Sequence, residues 1–389
     1  MFTRGMYTFF GLFCISLLGL NPVSSNTGET CPHQAFHVKE VEVSASANSG
    51  SEARTIATAE GLNQAWQQLK SRLLVDELGN ENKGGNDDKK PAANETVTGE
   101  EGIGDLLDHV RIVRETVLPK RYIAAFDYCF DRAKTRQYFA EKKVRHAELV
   151  SAPMLILPVW NAGGKPRIWR QPNPWVGAWE DILKARNGLV TLRLPESLAT
   201  ERAIAPQAII DRDRKAIARA ARLENAEKVI VTVITPEIAD DIMTVTVSAS
   251  LFTRQGLIEA EFYTSDELSF PVNSTGETTA WLATEIENGI ERVWRTVNAI
   301  VVDEKDEIMV SIPADSIAEW RAHLRALRGL PTIDRVRVMQ LSREGGVVQL
   351  NLSASMQSLL YALEATGLAI ERKVGENGVV TLMLVTRNG

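Results

Sequence analysis

The chain has 389 residues, too many for one ordinary hydrophobic core, which points to two or three domains. With 44% hydrophobic and 24% charged residues it has the composition of a globular protein, not a disordered or fibrous one. A net charge of -6 lacks the surplus of Lys and Arg that a phosphate backbone demands, so no nucleic-acid partner is expected.

Behind Arg4, residues 7–20 (YTFFGLFCISLLGL) form an apolar run shorter than a bilayer span. Pro22 breaks it, and Val23 and Ser25 meet the small-residue rule for cleavage before Asn26. Residues 1–25 are read as a signal peptide, with an uncleaved anchor as the competing reading. No later stretch is apolar for long enough to cross a membrane, so the exported chain is expected to be periplasmic and not membrane-spanning. Cleavage would remove Cys14 and leave Cys31 and Cys129, which an oxidising compartment would join in one disulfide. Two unrelated buried thiols are the alternative.

A first α+β domain is expected over residues 36–150. Residues 36–43 alternate apolar and polar as a half-buried strand does. A helix opening at Ser51 or Glu52 follows, with Ile56, Ala59, Leu62, Trp66, Leu69 and Leu73 on its apolar face. Residues 76–101 are rich in Gly, Asn, Asp, Glu and Lys and read as a flexible insertion. Two strands, 110–117 and 121–130, and a helix capped by Asp131 complete the domain.

The second domain, residues 151–303, opens on a continuous apolar strand, 154–160, of the kind buried inside a sheet. A Gly/Pro loop leads to a helix start with Asn173 as N-cap and Pro174 at the first helical position. Four of the chain's eight tryptophans fall here: Trp160, Trp169, Trp175 and Trp179. A helix over 209–223, three antiparallel strands (228–235, 242–252, 257–265) and a closing helix over 278–302 follow. The third domain, residues 307–387, has the βαββαβ pattern of a ferredoxin-like fold with an extra or split final strand. The fold class is therefore α+β, in three small α/β-sandwich-like domains.

The first domain, Leu157-Pro158-Val159-Trp160, and the Trp320-x-x-x-Leu324 helix with its following hairpin resemble an uncharacterised secreted family, a proteobacterial domain of unknown function. Residues 218–231 (ARAARLENAEKVIV), a helix of small residues running into a strand, then a hairpin with an Arg-Gln-Gly turn, resemble the N-terminal domain of TolB and the middle domain of the flagellar protein FlgT. The first likeness supplies no catalytic residues. The second implies binding of envelope partners in place of turnover. The chain has no propeller repeat, so TolB's own role does not carry over.

Several constellations invite chemistry, each with a plainer reading beside it. Cys31-x-His33-x-x-x-His37 has soft metal ligands but no fourth ligand nearby and competes with the disulfide, so no metal or cofactor is expected. Asp108-His109 pairs a base with a carboxylate, yet neighbouring residues on a helix or strand point apart, no Gly-x-Ser-x-Gly nucleophile completes it, and a polar helix end is the plainer reading. Residues 162–166 lack the first glycine and the Ser/Thr of a phosphate loop and read as a turn. Asp211 to Lys215 reads as a charged helix start. The tryptophans could form a binding platform for protein or sugar, or Trp175 and Trp179 could pack inward as an i,i+4 pair. The expected function is a non-catalytic envelope binding or assembly factor acting on a protein partner through Trp160, Trp169, Trp175 and Trp179 and the edges of the central sheet. A cell-wall glycan binder and an envelope enzyme are the alternatives.

Overall fold

The computed structural model describes residues 31–75, 102–169, 173–300, 306–374 and 380–386, so the signal peptide read at residues 1–25 and the insertion at 76–101 lie outside the described residues. Helices and strands are mixed and segregated by sheet, an α+β fold.

Three antiparallel strands, β1 (His37–Ser46), β2 (Leu107–Leu118) and β3 (Arg121–Phe130), form the first sheet in the order β1-β3-β2. Helix α1 (Gly50–Leu73) covers one face, and α2 (Arg132–Glu141) follows β3. Ser49 caps α1 by accepting from Glu52 N at 3.1 Å, and Glu52 accepts from Asn48 N at 3.1 Å. Periodicity places Ile56, Ala59 and Leu62 inward, but the structure buries Ala53, Ala57, Gly61 and Ala65 and leaves Ile56 46% exposed. The cause is close approach. A Cβ on Gly61 would sit 2.5 Å from Tyr128 Oη and 3.0 Å from Val43 Cγ1, so only small residues fit where the helix meets the sheet. Farther along, where the helix carries Trp66, Leu69 and Leu73, large side chains are buried as expected.

β4 (His146–Ala147) leads into a seven-stranded central sheet of β5 (Met154–Ala162), β6 (Lys165–Arg167), β7 (Leu192–Arg193), β8 (Lys228–Ala239), β9 (Ile242–Thr253), β10 (Ile258–Thr264) and β11 (Leu268–Pro271). The main order is β10-β9-β8-β5-β6, with β11 also on β9 and β7 also on β5. Its helices are α3 (Pro174–Ala185), α4 (Leu198–Ala203), α5 (Pro206–Ile210), α6 (Arg214–Leu223) and α7 (Thr275–Val297). β5 runs parallel to β8 from Met154↔Lys228 to Trp160↔Ile234. Its unbroken apolar run follows from burial on both faces. Met154, Ile156 and Trp160 join a core with Trp179 and Leu282, while Leu155, Leu157 and Val159 join one with Ile209 and Ile217.

Two helix readings change here. The helix expected over 209–223 breaks at Arg212 (φ 54), and Asp213 restarts it as α6 by accepting from Lys215 N and Ala216 N. The closing helix ends at Val297, not 302. There the buried Asn298 donates to Trp294 O at 2.9 Å, and β12 (Ala299–Ile300) pairs with β4.

The last sheet holds β13 (Glu307–Pro313), β14 (Ile333–Ser342), β15 (Gly345–Leu352), β16 (Leu368–Val374) and β17 (Val380–Thr386), with helices α8 (Ile317–Gly329) and α9 (Met356–Ala365). Its order, β14-β15-β13-β17-β16, shows how the βαββαβ pattern gains its extra strand. The chain leaves α9 along the outer edge as β16 and returns as β17, which lies parallel to β13.

Candidate functional site

Asn173 and Pro174 start α3 as the sequence predicts: Asn173 Oδ1 accepts from Trp175 N at 3.1 Å and Val176 N at 3.3 Å. The i,i+4 spacing then puts Trp175 and Trp179 on the helix face that meets the sheet. Both are fully buried, edge to face with 5.8 Å between ring centroids, and Trp175 Nε1 donates to Thr232 Oγ1 at 3.0 Å. Trp160 is buried near the end of β5. The structure thus moves Trp160, Trp175 and Trp179 out of the expected binding set and into the core. Trp169 differs. It is half-buried, at the lip of a groove of about 340 Å³.

The groove's apolar wall is Ile168, Trp169, Val176, Leu194 and Leu198, and its acidic side is Glu196 and Glu201. Glu224, buried below, fixes this loop by accepting from Ser197 N at 3.1 Å, Glu196 N at 3.3 Å and Thr200 Oγ1 at 2.5 Å. Ser197 caps α4. Glu196 and Glu201 are exposed, and neither carboxylate meets a cation or donor among the described residues. No residue pattern along 195–206 marks Glu196 and Glu201, which the fold alone brings beside Trp169.

A second surface lies on β2. This twelve-residue strand is a sheet edge, and Val110, Ile112, Val113, Val117 and Leu118 are all exposed, Val117 by 58%. A bulge between Ile112 and Arg114 interrupts its register with β3 and leaves Arg114–Leu118 regular. Arg114 pairs with Glu42 across the sheet, and Tyr122 Oη donates to Glu115 at 2.7 Å. The strand expected over 110–117 is present, but a residue pattern alone does not distinguish an edge strand from one paired on both sides.

Cys31 and Cys129 form a disulfide with a Cα–Cα separation of 5.5 Å, tying the first described residue to β3. It removes the thiolate from the Cys31/His33/His37 constellation, and burial lowers the pKa of both histidines. Asp108 and His109 do meet, Oδ2 to Nδ1 at 3.1 Å, against the expectation that neighbours point apart. The register shift between Leu107 and His109 turns Asp108 out of the ladder and lets them touch. The third group near them is Cys129, whose sulfur is committed to the disulfide. Residues 162–166 form a tight hairpin turn, Gly163 and Gly164 both at positive φ between the paired Ala162 and Lys165.

Two buried ionic clamps hold the elements together. Glu148 is hydrogen-bonded by His146 at 3.0 Å, Arg136 at 2.6 Å and Arg132 at 2.9 Å, and Arg136 also donates to Pro331 O at 3.0 Å. Burial opposes its charge, but the bonds from His146 and Arg136 and the charges of Arg136 and Arg132 outweigh it and hold the carboxyl down at about 2. At the other clamp Glu291 accepts from Leu189 N and Val190 N and pairs with Arg186. Nearby Arg72 donates to Asn187 O, Ala35 O and His37 O, and burial lowers it to about 10.

No protein-family model matches the chain, and no curated protein matches it in sequence. Among solved structures, part of the chain is similar to lipoprotein GNA1162 from Neisseria meningitidis (17% identity, 36% of this chain and 96% of that one, TM-score 0.23). Others are the LpoB C-terminal domain from Salmonella enterica (16%, 32% and 84%, TM-score 0.20) and the hypothetical protein CT253 from Chlamydia trachomatis (13%, 37% and 90%, TM-score 0.20). At these scores the likeness is local, and no role is carried over from it.

Proposed function

We propose that the protein is a non-catalytic binding or assembly factor of the bacterial cell envelope, working in the periplasm through protein–protein contacts. The observation that carries this reading is β2, an edge strand with a row of exposed aliphatic side chains whose outer side meets no further strand among the described residues. Such an edge is a template for an added strand, and natural proteins cover or blunt it unless it is used. The Cys31–Cys129 disulfide supports an oxidising compartment. The resemblance of residues 218–231 to the TolB N-terminal and FlgT middle domains supports a binding role. The cell-wall glycan alternative now rests on Trp169, because stacking on a sugar needs an exposed ring.

The test is a photo-crosslinking amino acid placed at Val113 or Val117 in intact cells, with Leu257 on the exposed 253–257 turn as control. One recurrent protein adduct from the β2 positions, absent at Leu257 and weakened at least tenfold by Val117→Lys measured from a crosslinker at Val113, is the expected outcome. Adducts that are the same from all three sites, or none from β2, would overturn it.

A further inference from the structure

We infer that the groove beside Trp169 receives a basic side chain, arginine or lysine, flanked by an apolar residue on a partner protein. This rests on the protein-binding reading and names the chemistry of one contact. The groove sets two features side by side that one basic side chain would match. Trp169 and Leu198, the latter 66% exposed, hold apolar surface in water. Glu196 and Glu201 place two carboxylates beside it without a cation among the described residues. Beneath them the third carboxylate, Glu224, already accepts from Glu196 N, Ser197 N and Thr200 Oγ1, so the groove's free negative charge is that of Glu196 and Glu201. Arg193, 3.5 Å away, is engaged with that buried group.

A guanidinium or ammonium meets both demands at once. Its aliphatic stem lies along the indole and leucine, and its head reaches the carboxylates, where charge-assisted hydrogen bonds form. A cation against a Trp face adds attraction of its own. A volume of about 340 Å³ suits one or two side chains and not a long glycan. A neutral sugar could stack on Trp169 and donate hydroxyls to the glutamates but brings no opposite charge, so the two carboxylates favour the basic peptide. The loop is already fixed by Glu224 and by the Ser197 cap, so little ordering is needed on binding.

The experiment labels the full-length chain with 5-fluorotryptophan and assigns the Trp169 resonance with Trp169→Phe. The probes are acetyl-Leu-Arg-Leu-amide, acetyl-Leu-Gln-Leu-amide and soluble cell-wall fragments. The expected result is a saturable shift of the Trp169 signal with the arginine peptide, weakened at least tenfold for the glutamine peptide. It should be weakened likewise by Glu196→Gln combined with Glu201→Gln. Both positions are exposed, so an unchanged melting curve will show that the variant is folded. Equal response to both peptides, indifference to the double variant, a response to wall fragments alone, or no saturable response would each overturn the assignment. Crosslinking from β2 is independent of this groove. Adducts that persist when the groove fails locate the failure here and not in the protein-binding reading.

Discussion

Glu148 is a full charge buried between α2 and β4, and it is tolerated because three donors surround it. Its folded pKa lies below the ordinary carboxylate value of 4.5, so its stabilisation is complete above that pH and is lost as pH falls toward about 2. The shift corresponds to roughly 3 kcal/mol. Glu148→Gln is therefore expected to lower stability most at neutral pH, since it leaves Arg132 and Arg136 without their carboxylate. The gap to wild type should close between pH 4.5 and about 2. Urea midpoints measured across that range decide it; a gap that does not change with pH would mean the loss is one of packing.

Helix α1 shows how an element can read correctly in kind and wrongly in face. Its helical kind is legible in the three-and-four spacing, but it starts at Gly50 behind a Ser49 cap, not at Ser51 or Glu52, and its first half turns small residues to the sheet because the two backbones run close. Gly61→Val is expected to push α1 from β3 and cost about 1–3 kcal/mol, whereas Ile56→Ala, on the exposed side, should change stability by less than about 0.5 kcal/mol. Chemical denaturation of the two variants side by side is the check. Comparable losses would mean that Ile56 is packed after all.

At the scale of the whole molecule, the disulfide links residues 98 apart. A cross-link across so long a loop restricts the unfolded chain, and its removal is expected to cost about 2–4 kcal/mol. Reduction, or Cys31→Ser, should lower the melting temperature while leaving far-ultraviolet circular dichroism at room temperature unchanged. Identical melting curves would mean that the β1–β3 ladder already holds the N-terminal segment against β3 without it. Arg136 extends the first clamp to Pro331 beside the last sheet, and one apolar core runs from Phe36 through Leu282 to Leu384.

Local signals sufficed where the physics is local. The Asn173-Pro174 helix start, the buried run of β5, the αβ mixture and the glycine turns could all be read along the chain, because capping, period and backbone freedom act over a few residues. The pairing of Cys31 with Cys129 was open in the sequence and settled by proximity across the sheet. Tertiary packing alone decided that Trp175 and Trp179 turn inward while Trp169 stays at a surface groove. It also assembled Glu196 and Glu201 beside that ring and left β2 at an open edge. Each of these depends on which element lies opposite, and a residue pattern carries no information on its neighbour across space.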